Sequence, residues 1–282
     1  MGTGRYRLPQ SSRKSHQVMP ALSLIVSVYR DVDFLDLILK ALMRQRFTDF
    51  EVIVSEDGES AEMQQTVAAM KTKVPFSITH LQQPDEGFRK NRALNRAMQT
   101  AASDYLVFLD GDCLPHPAFL FEHARHRQPG TALFGRRVML SEQHTAELTQ
   151  KQQYGPFSFF ELWRKGAQRL DCALYLPFTQ PAKRPASKGI WGCNWSIHKT
   201  DIMAVNGFDE DYTTAGIGED VDIEWRLRAN GTQLRYIKWL AVQYHLHHPV
   251  HYSSTAANEA LCLKKQQQNV LFCKNGIQKW ND

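Results

Sequence analysis

An open, mostly parallel α/β sheet flanked by helices is the fold class this 282-residue sequence predicts. Three observations carry it. Continuous apolar runs of strand length, such as 21–28 and 105–109, show no polar alternation, as in strands buried on both faces. Stretches of helical periodicity separate them, so strands and helices alternate over about 110 residues. Two of the runs end in acids beside a glycine, at Glu56-Asp57-Gly58 and Asp110-Gly111-Asp112. In sheets of this kind ligands bind beyond the carboxyl ends of the strands.

The first strand is Ala-Leu-Ser-Leu-Ile-Val-Ser-Val, residues 21–28. Tyr29-Arg30-Asp31 then opens a helix of about 15 residues, with apolar positions at Phe34, Leu35, Ile38, Leu39 and Leu42. A second strand, Phe50 to Ser55, runs into the Glu56-Asp57-Gly58 turn. A helix through Met63, Val67 and Met70 precedes a third strand around Phe76 to Leu81, and a helix through Leu94, Ala97 and Met98 precedes the fourth. Beyond Asp112 residues 116–127 read as a helix and 131–140 as a strand carrying Arg136 and Arg137, while 141–190 is less regular. Residues 191–197 make a short strand, Thr200 to Val205 a helix, and Gly218 to Leu227 a helix whose first turn is acidic, as its dipole favours. Short strands at 233–237 and 241–245 lead to a histidine cluster at 245, 247, 248 and 251. Residues 256–273 read as one amphipathic helix. The resulting organisation is a flexible basic arm (1–20), one domain (21–250, halves 21–115 and 116–250), and a helical extension (251–282).

Composition excludes several classes. No window approaches the 18 apolar residues of a membrane span, and the polar start lacks a secretory apolar core. Five widely spaced cysteines without a CxxC pair read as free thiols in a reducing, cytoplasmic setting rather than a zinc site. The net charge of +5 permits phosphorylated ligands or peripheral contact with an anionic membrane; nucleic acid is not an expected partner. No Gly-x-Gly-x-x-Gly stands at a strand–helix turn, which argues against a dinucleotide.

Asp110 and Asp112 end the fourth strand, with Gly111 letting a ligand approach the backbone. Paired acids at that edge suit Mg²⁺ or Mn²⁺, which take one or two carboxylates plus phosphate oxygens. The competing reading is a plain Asp-Gly turn.

The ordered set of motifs resembles the family 2 glycosyltransferases of the GT-A fold. It comprises Glu56-Asp57-Gly58, Asp85-Glu86-Gly87-Phe88-Arg89 with Asn91, Arg92 and Asn95, and Asp110-Gly111-Asp112. Trp191-Gly192-Cys193-Asn194-Trp195-Ser196, Gly207-Phe208-Asp209-Glu210 and Gly218-Glu219-Asp220-Val221-Asp222 complete it. The second half is similar to the C-terminal region of β-1,4-galactosyltransferases and to chondroitin-type polymerases. The resemblance implies transfer of a sugar from a nucleotide diphosphate donor, usually UDP-linked, with inversion, to a saccharide or lipid-linked glycan acceptor.

By that resemblance Asp112 is the direct metal ligand, and Asp110 sits near the ribose or reaches the metal through water. A histidine completes the site, His245 first, with His247 and His248 as alternates. Tyr29 and Arg30 line the base pocket, Asp57 accepts from the uracil imide, and Arg92 pairs with base or phosphate. Glu56 stands where many relatives carry Asp. Transfer also needs a base to take the acceptor proton, and a carboxylate at a helix start is held in a fixed orientation. Asp220 is the implied base and Glu219 binds the acceptor hydroxyl; plain capping of the helix is the alternative. Trp191 and Trp195 offer stacking faces for a sugar, one of them core. The basic segment between Phe160 and Ile190 suits an anionic acceptor. The rivals are a nucleotidyltransferase, which usually carries a glycine-rich phosphate loop absent from 21–35, and a non-catalytic sugar-binding module. The Gln-x-x-Arg-Trp signature of processive synthases is missing, so single-sugar addition is expected rather than polymerisation.

Overall fold

The computed structural model describes residues 19–185, 188–215, 219–249 and 255–279, with the backbone alone at Glu219. Most of the basic arm and His251 therefore lie outside the described residues.

The first half alternates as its periodicity requires: β1 (Leu22–Val28), α1 (Val32–Leu42), β2 (Phe50–Glu56), α2 (Ala61–Lys71), β3 (Ser77–Leu81), α3 (Lys90–Thr100) and β4 (Tyr105–Asp110). Leu24 and Val26 point to one face of the sheet and Ile25 to the other. Val52 and Val54 against Ile53, and Val107 and Leu109 against Leu106 and Phe108, divide in the same way. Each of these three strands buries both faces, which is why its sequence shows no polar alternation. α1 and α2 pack on the first face and α3 on the second, through Leu94, Ala97 and Met98. Ser60 caps α2 by accepting from the Met63 amide.

The second half continues with β5 (Cys113–Pro115), α4 (Phe119–Arg125), β6 (Thr131–Phe134), β7 (Val138–Met139), α5 (Glu142–Lys151) and α6 (Phe159–Arg164). Then come β8 (Ala182–Lys183), β9 (Trp195–His198), α7 (Lys199–Met203), α8 (Glu219–Ala229), β10 (Gln233–Tyr236), β11 (Gln243–His245) and α9 (Ala256–Gln267). The main sheet runs β3-β2-β1-β4-β9-β6-β10-β8, parallel from β3 to β4 and between β6 and β10. β9 enters antiparallel between β4 and β6. A small sheet, β5-β11-β7, stands beside it.

Three expectations change in detail. The strand at 131–140 is two short strands in different sheets. Gly135 lies where the Asn194 side chain occupies the space of a Cβ, its amide bonds the Asn194 carbonyl, and the chain then leaves the main sheet. The irregular 141–190 stretch contains α5 and α6, each capped by a serine, Ser141 and Ser158. The C-terminal helix stops at Gln267, because Asn269 takes a left-handed conformation (φ 53°). The chain beyond it packs under the Val205–Phe208 turn, where the Asn206 side chain holds the Cys273 and Gln278 carbonyls.

Candidate active site

Gly111 shapes the end of β4. Its amide donates to the Ser27 carbonyl of β1 at 2.6 Å, and a Cβ here would sit 2.7 Å from that oxygen. The chain turns against β1, and the two acids part. Asp110 accepts from the Lys90 ammonium at 3.0 Å, at the start of α3. Asp112 leads into β5, where Cys113 lies opposite His245 of β11 and the Asp112 carbonyl accepts from the Leu246 amide at 2.8 Å.

This pairing brings Asp112 Oδ2 to 3.2 Å from His245 Nε2 and 3.0 Å from His248 Nε2. The ligand atoms of the three residues all lie within 4.8 Å of one another. Burial alone would raise the Asp112 carboxyl, but hydrogen bonds from the two imidazoles hold it well below the usual carboxylate range. His248 is raised in turn, first by its bond to Asp112, against the opposing effect of burial. One carboxylate oxygen and two imidazole nitrogens fit a divalent ion of the Mn²⁺ kind better than Mg²⁺, which favours oxygen alone. His247 lies elsewhere: it is exposed, its amide donates to Thr145 Oγ1, and it lines a separate groove with Phe34 and Thr149.

A cleft of about 650 Å³ opens above the strand ends, lined by Tyr29, Arg30, Asp57, Lys90, Asp110, Asp112 and His248 among others. Arg30 (φ 63°) folds its guanidinium over the Tyr29 ring at 4.6 Å, and both hydrogen-bond Asp85. Asp57 is held rigidly, accepting from Gln83 Nε2 and from the Arg89 amide, each at 2.7 Å. Arg92 stands behind it, donating to Gln83 Oε1 and Glu86 rather than lining the cleft. Glu56 turns inward to the Ser60 amide, His80 and Gln82, so it stabilises the turn without reaching the cleft.

Asp220 lies in the first turn of α8. A Cβ on Gly192 would stand 2.9 Å from Asp220 Oδ1 and 3.3 Å from Lys90 Nζ, so both charged groups gather over this glycine. Lys90 thus stands by Asp110 and Asp220 together. The side chain of Glu219 lies outside the described residues. Asp222 is buried in an ion pair with Arg226 at 2.7 Å, and Glu224 holds Arg184 at 2.9 Å and the Ile190 amide at 2.6 Å. Trp195 is core, stacked on Phe108 at 4.3 Å. The Trp191 ring is engaged by Arg136, Arg137 and Arg169.

The sequence profile of glycosyl transferase family 2 matches residues 23–199, and that of the N-terminal domain of galactosyltransferase matches 173–249. The chain belongs to glycosyl transferase family 2. Validoxylamine A glucosyltransferase of Streptomyces hygroscopicus is 27% identical to this family 2 chain over 238 residues, 76% of this chain and 52% of that protein. Poly-beta-1,6-N-acetyl-D-glucosamine synthase of Staphylococcus aureus is 21% identical over 82% of this chain and 52% of its own length. The chain thus spans about half the length of the curated relatives it matches. Among solved structures, the Pyrobaculum calidifontis mannosyltransferase PcManGT, in complex with GDP-Man and Mn²⁺, superposes with a TM-score of 0.59 at 14% identity, covering 90% of this chain and 65% of that one. A fragment of Staphylococcus aureus TarS in complex with UDP-GlcNAc gives a TM-score of 0.59 at 16% identity over 85% and 64%. These likenesses place the chain in the GT-A fold.

Lys90 had no distinctive sequence signal, since a cation at a helix start reads equally as a solvated charge. His248 stood only as an alternate. The spacing that sets it beside His245 belongs to the chain leaving β11, which has no periodicity to read.

Proposed function

We propose that this chain is a metal-dependent, inverting glycosyltransferase that moves a sugar from a nucleoside diphosphate donor, UDP-linked, to a hydroxyl of a saccharide or lipid-linked glycan. The observation that carries the reading is the Asp112–His245–His248 group at the edge of a nucleotide-sized cleft. A divalent ion bound there would neutralise the charge developing on the departing diphosphate. Asp112, His245 and His248 are assigned to holding it, with Mn²⁺ the ion that the donor set favours. The Mn²⁺ in the PcManGT complex and the UDP-GlcNAc in the TarS complex are in keeping with this.

The remaining roles are assigned as the family resemblance implies, and those of Arg92 and Lys90 from their contacts. Tyr29 and Arg30 cover the base, and Asp57, fixed by Gln83 and the Arg89 amide, accepts from its imide. Arg92 acts on Asp57 through Gln83. Asp110 holds the ribose or a water on the ion. Asp220 takes the proton from the acceptor hydroxyl as the anomeric carbon is attacked, and Glu219 orients that hydroxyl. Lys90 steadies the two carboxylates on either side of the reacting bond.

Calorimetric titration with UDP, GDP and dTDP, each with and without Mn²⁺, tests the reading. UDP binding that requires Mn²⁺ and is lost in Asp112→Ala and His245→Ala is the expected result. Binding of no nucleotide under either condition would sink the assignment.

A further inference from the structure

The Trp191 ring collects positive charge in an unusual way. Arg136 and Arg169 each place a guanidinium carbon 4.6 Å from its centroid, and Arg137 lies at 5.5 Å. Arg136 is 1% exposed and also lies against the Phe134 and Tyr236 rings. Its one hydrogen bond among the described residues runs to the Gly135 carbonyl. The Nε atoms of Arg136 and Arg137 are buried with no hydrogen-bond partner among the described residues. None of the three guanidinium groups has a carboxylate within ion-pair distance among the described residues; Asp112 and Asp110 act on Arg137 only at longer range. Aromatic faces offset part of the cost of burying such charge, but buried guanidinium N–H groups without acceptors call for a ligand.

The cluster adjoins the transfer centre. Trp191 precedes Gly192, over which Asp220 and Lys90 converge. Asn194 holds the backbone at Arg136, its side-chain amide donating to the Arg136 and Ala241 carbonyls. Trp191, Arg137 and Arg169 all retain partial access to solvent.

We propose that Arg137, Arg169 and Trp191, braced by Arg136, form a subsite for the carboxylate of an acidic sugar beside the transfer centre. A guanidinium pairs with a carboxylate in a planar, bidentate fashion. The acid supplies a direct ion-pair partner, which the longer-range fields of Asp112 and Asp110 on Arg137 and of Asp171 on Arg169 do not provide, and the indole edge meets the sugar ring. This rests on the glycosyl-transfer reading, and the carboxylate belongs either to the donor sugar or to the acceptor.

Calorimetry separates these cases. UDP with Mn²⁺ is titrated first, and no binding there overturns the transfer reading and the subsite with it. The donor arm compares UDP-glucuronic acid with UDP-glucose in Mn²⁺. The acceptor arm compares methyl glucuronide with methyl glucoside on the UDP- and Mn²⁺-loaded protein. The expected result is at least tenfold tighter binding of the acidic member in one arm, reduced to parity in Arg169→Gln and partly restored in Arg169→Lys. Melting transitions report separately whether each variant folds. Binding of UDP with no discrimination by the wild type in either arm overturns the subsite alone, as does full preference retained in a folded Arg169→Gln protein.

Discussion

Gly111 illustrates how one residue sets the spacing of the site. Its missing side chain admits the Ser27 carbonyl and the Val28 Cγ1, which a Cβ would meet at 2.7 and 2.8 Å. The expected effect of Gly111→Ala is a folded protein, less stable by about 1–3 kcal/mol from overpacking, whose UDP affinity in Mn²⁺ falls at least tenfold as Asp110 and Asp112 shift. Urea titration and calorimetry read the two effects; undiminished affinity would show that the turn has slack. Asp110 and Asp112 were legible because charge at the end of a buried run is costly without a purpose. Glu56 was readable as an acid at a strand end but not as an internal brace, since its three partners are assembled by the fold. Arg92 likewise reads as a ligand-facing cation, whereas Gln83 and Glu86 claim it.

At the scale of the element, α8 carries Asp220 on a helix anchored from beneath. Arg226 pairs with Asp222 through Nε and Nη2 at 2.7 Å and donates to the Val205 and Gly207 carbonyls, all in the interior. Arg226→Met leaves Asp222 charged, buried and short of its partner, and is expected to cost about 3–5 kcal/mol. The double change Asp222→Leu/Arg226→Met should recover a large part of that loss. Equal denaturant midpoints for single and double variants would contradict this. The parallel strands and their helices were legible because two-faced burial writes itself as an unbroken apolar run. The division of 131–140 between two sheets was not, because the cause is Asn194, remote in sequence, filling the space beside Gly135. The end of α9 carried a local cue, Asn269, that an amphipathic pattern continuing to Cys273 overrode.

For the whole molecule, two buried histidines tie stability to pH. Burial pushes His123 down to about 3, although its ring bonds Ser196 and Asn194, and burial with the nearby Arg46 pushes His116 down to about 4. Both are neutral in the folded chain at pH 5, whereas the unfolded chain protonates them below about 6.5. The unfolded state therefore binds more protons between about 6.5 and 4, and stability falls as pH drops through that window. Each histidine contributes up to about 1.4 kcal/mol per pH unit. Urea midpoints are expected to decline from pH 7 to pH 4.5, less steeply in His123→Gln; a flat profile would show that neither group matters. All five cysteines are buried free thiols. Among the described residues no helix is long and apolar enough to cross a membrane.

The bond between the Asp112 carbonyl and the Leu246 amide joins distant parts of the chain. The turn between β4 and β5 supplies the acid early, but β11 and the chain after it supply both imidazoles. During translation, the parallel layer from β1 to β4 has all its strands long before Gln243 leaves the ribosome. The Asp112–His245–His248 group does not exist until His248 has followed. A nascent chain can therefore form the strands β1 to β4 while the group proposed to hold an ion is still unassembled, and that group waits on residues made well over a hundred positions later.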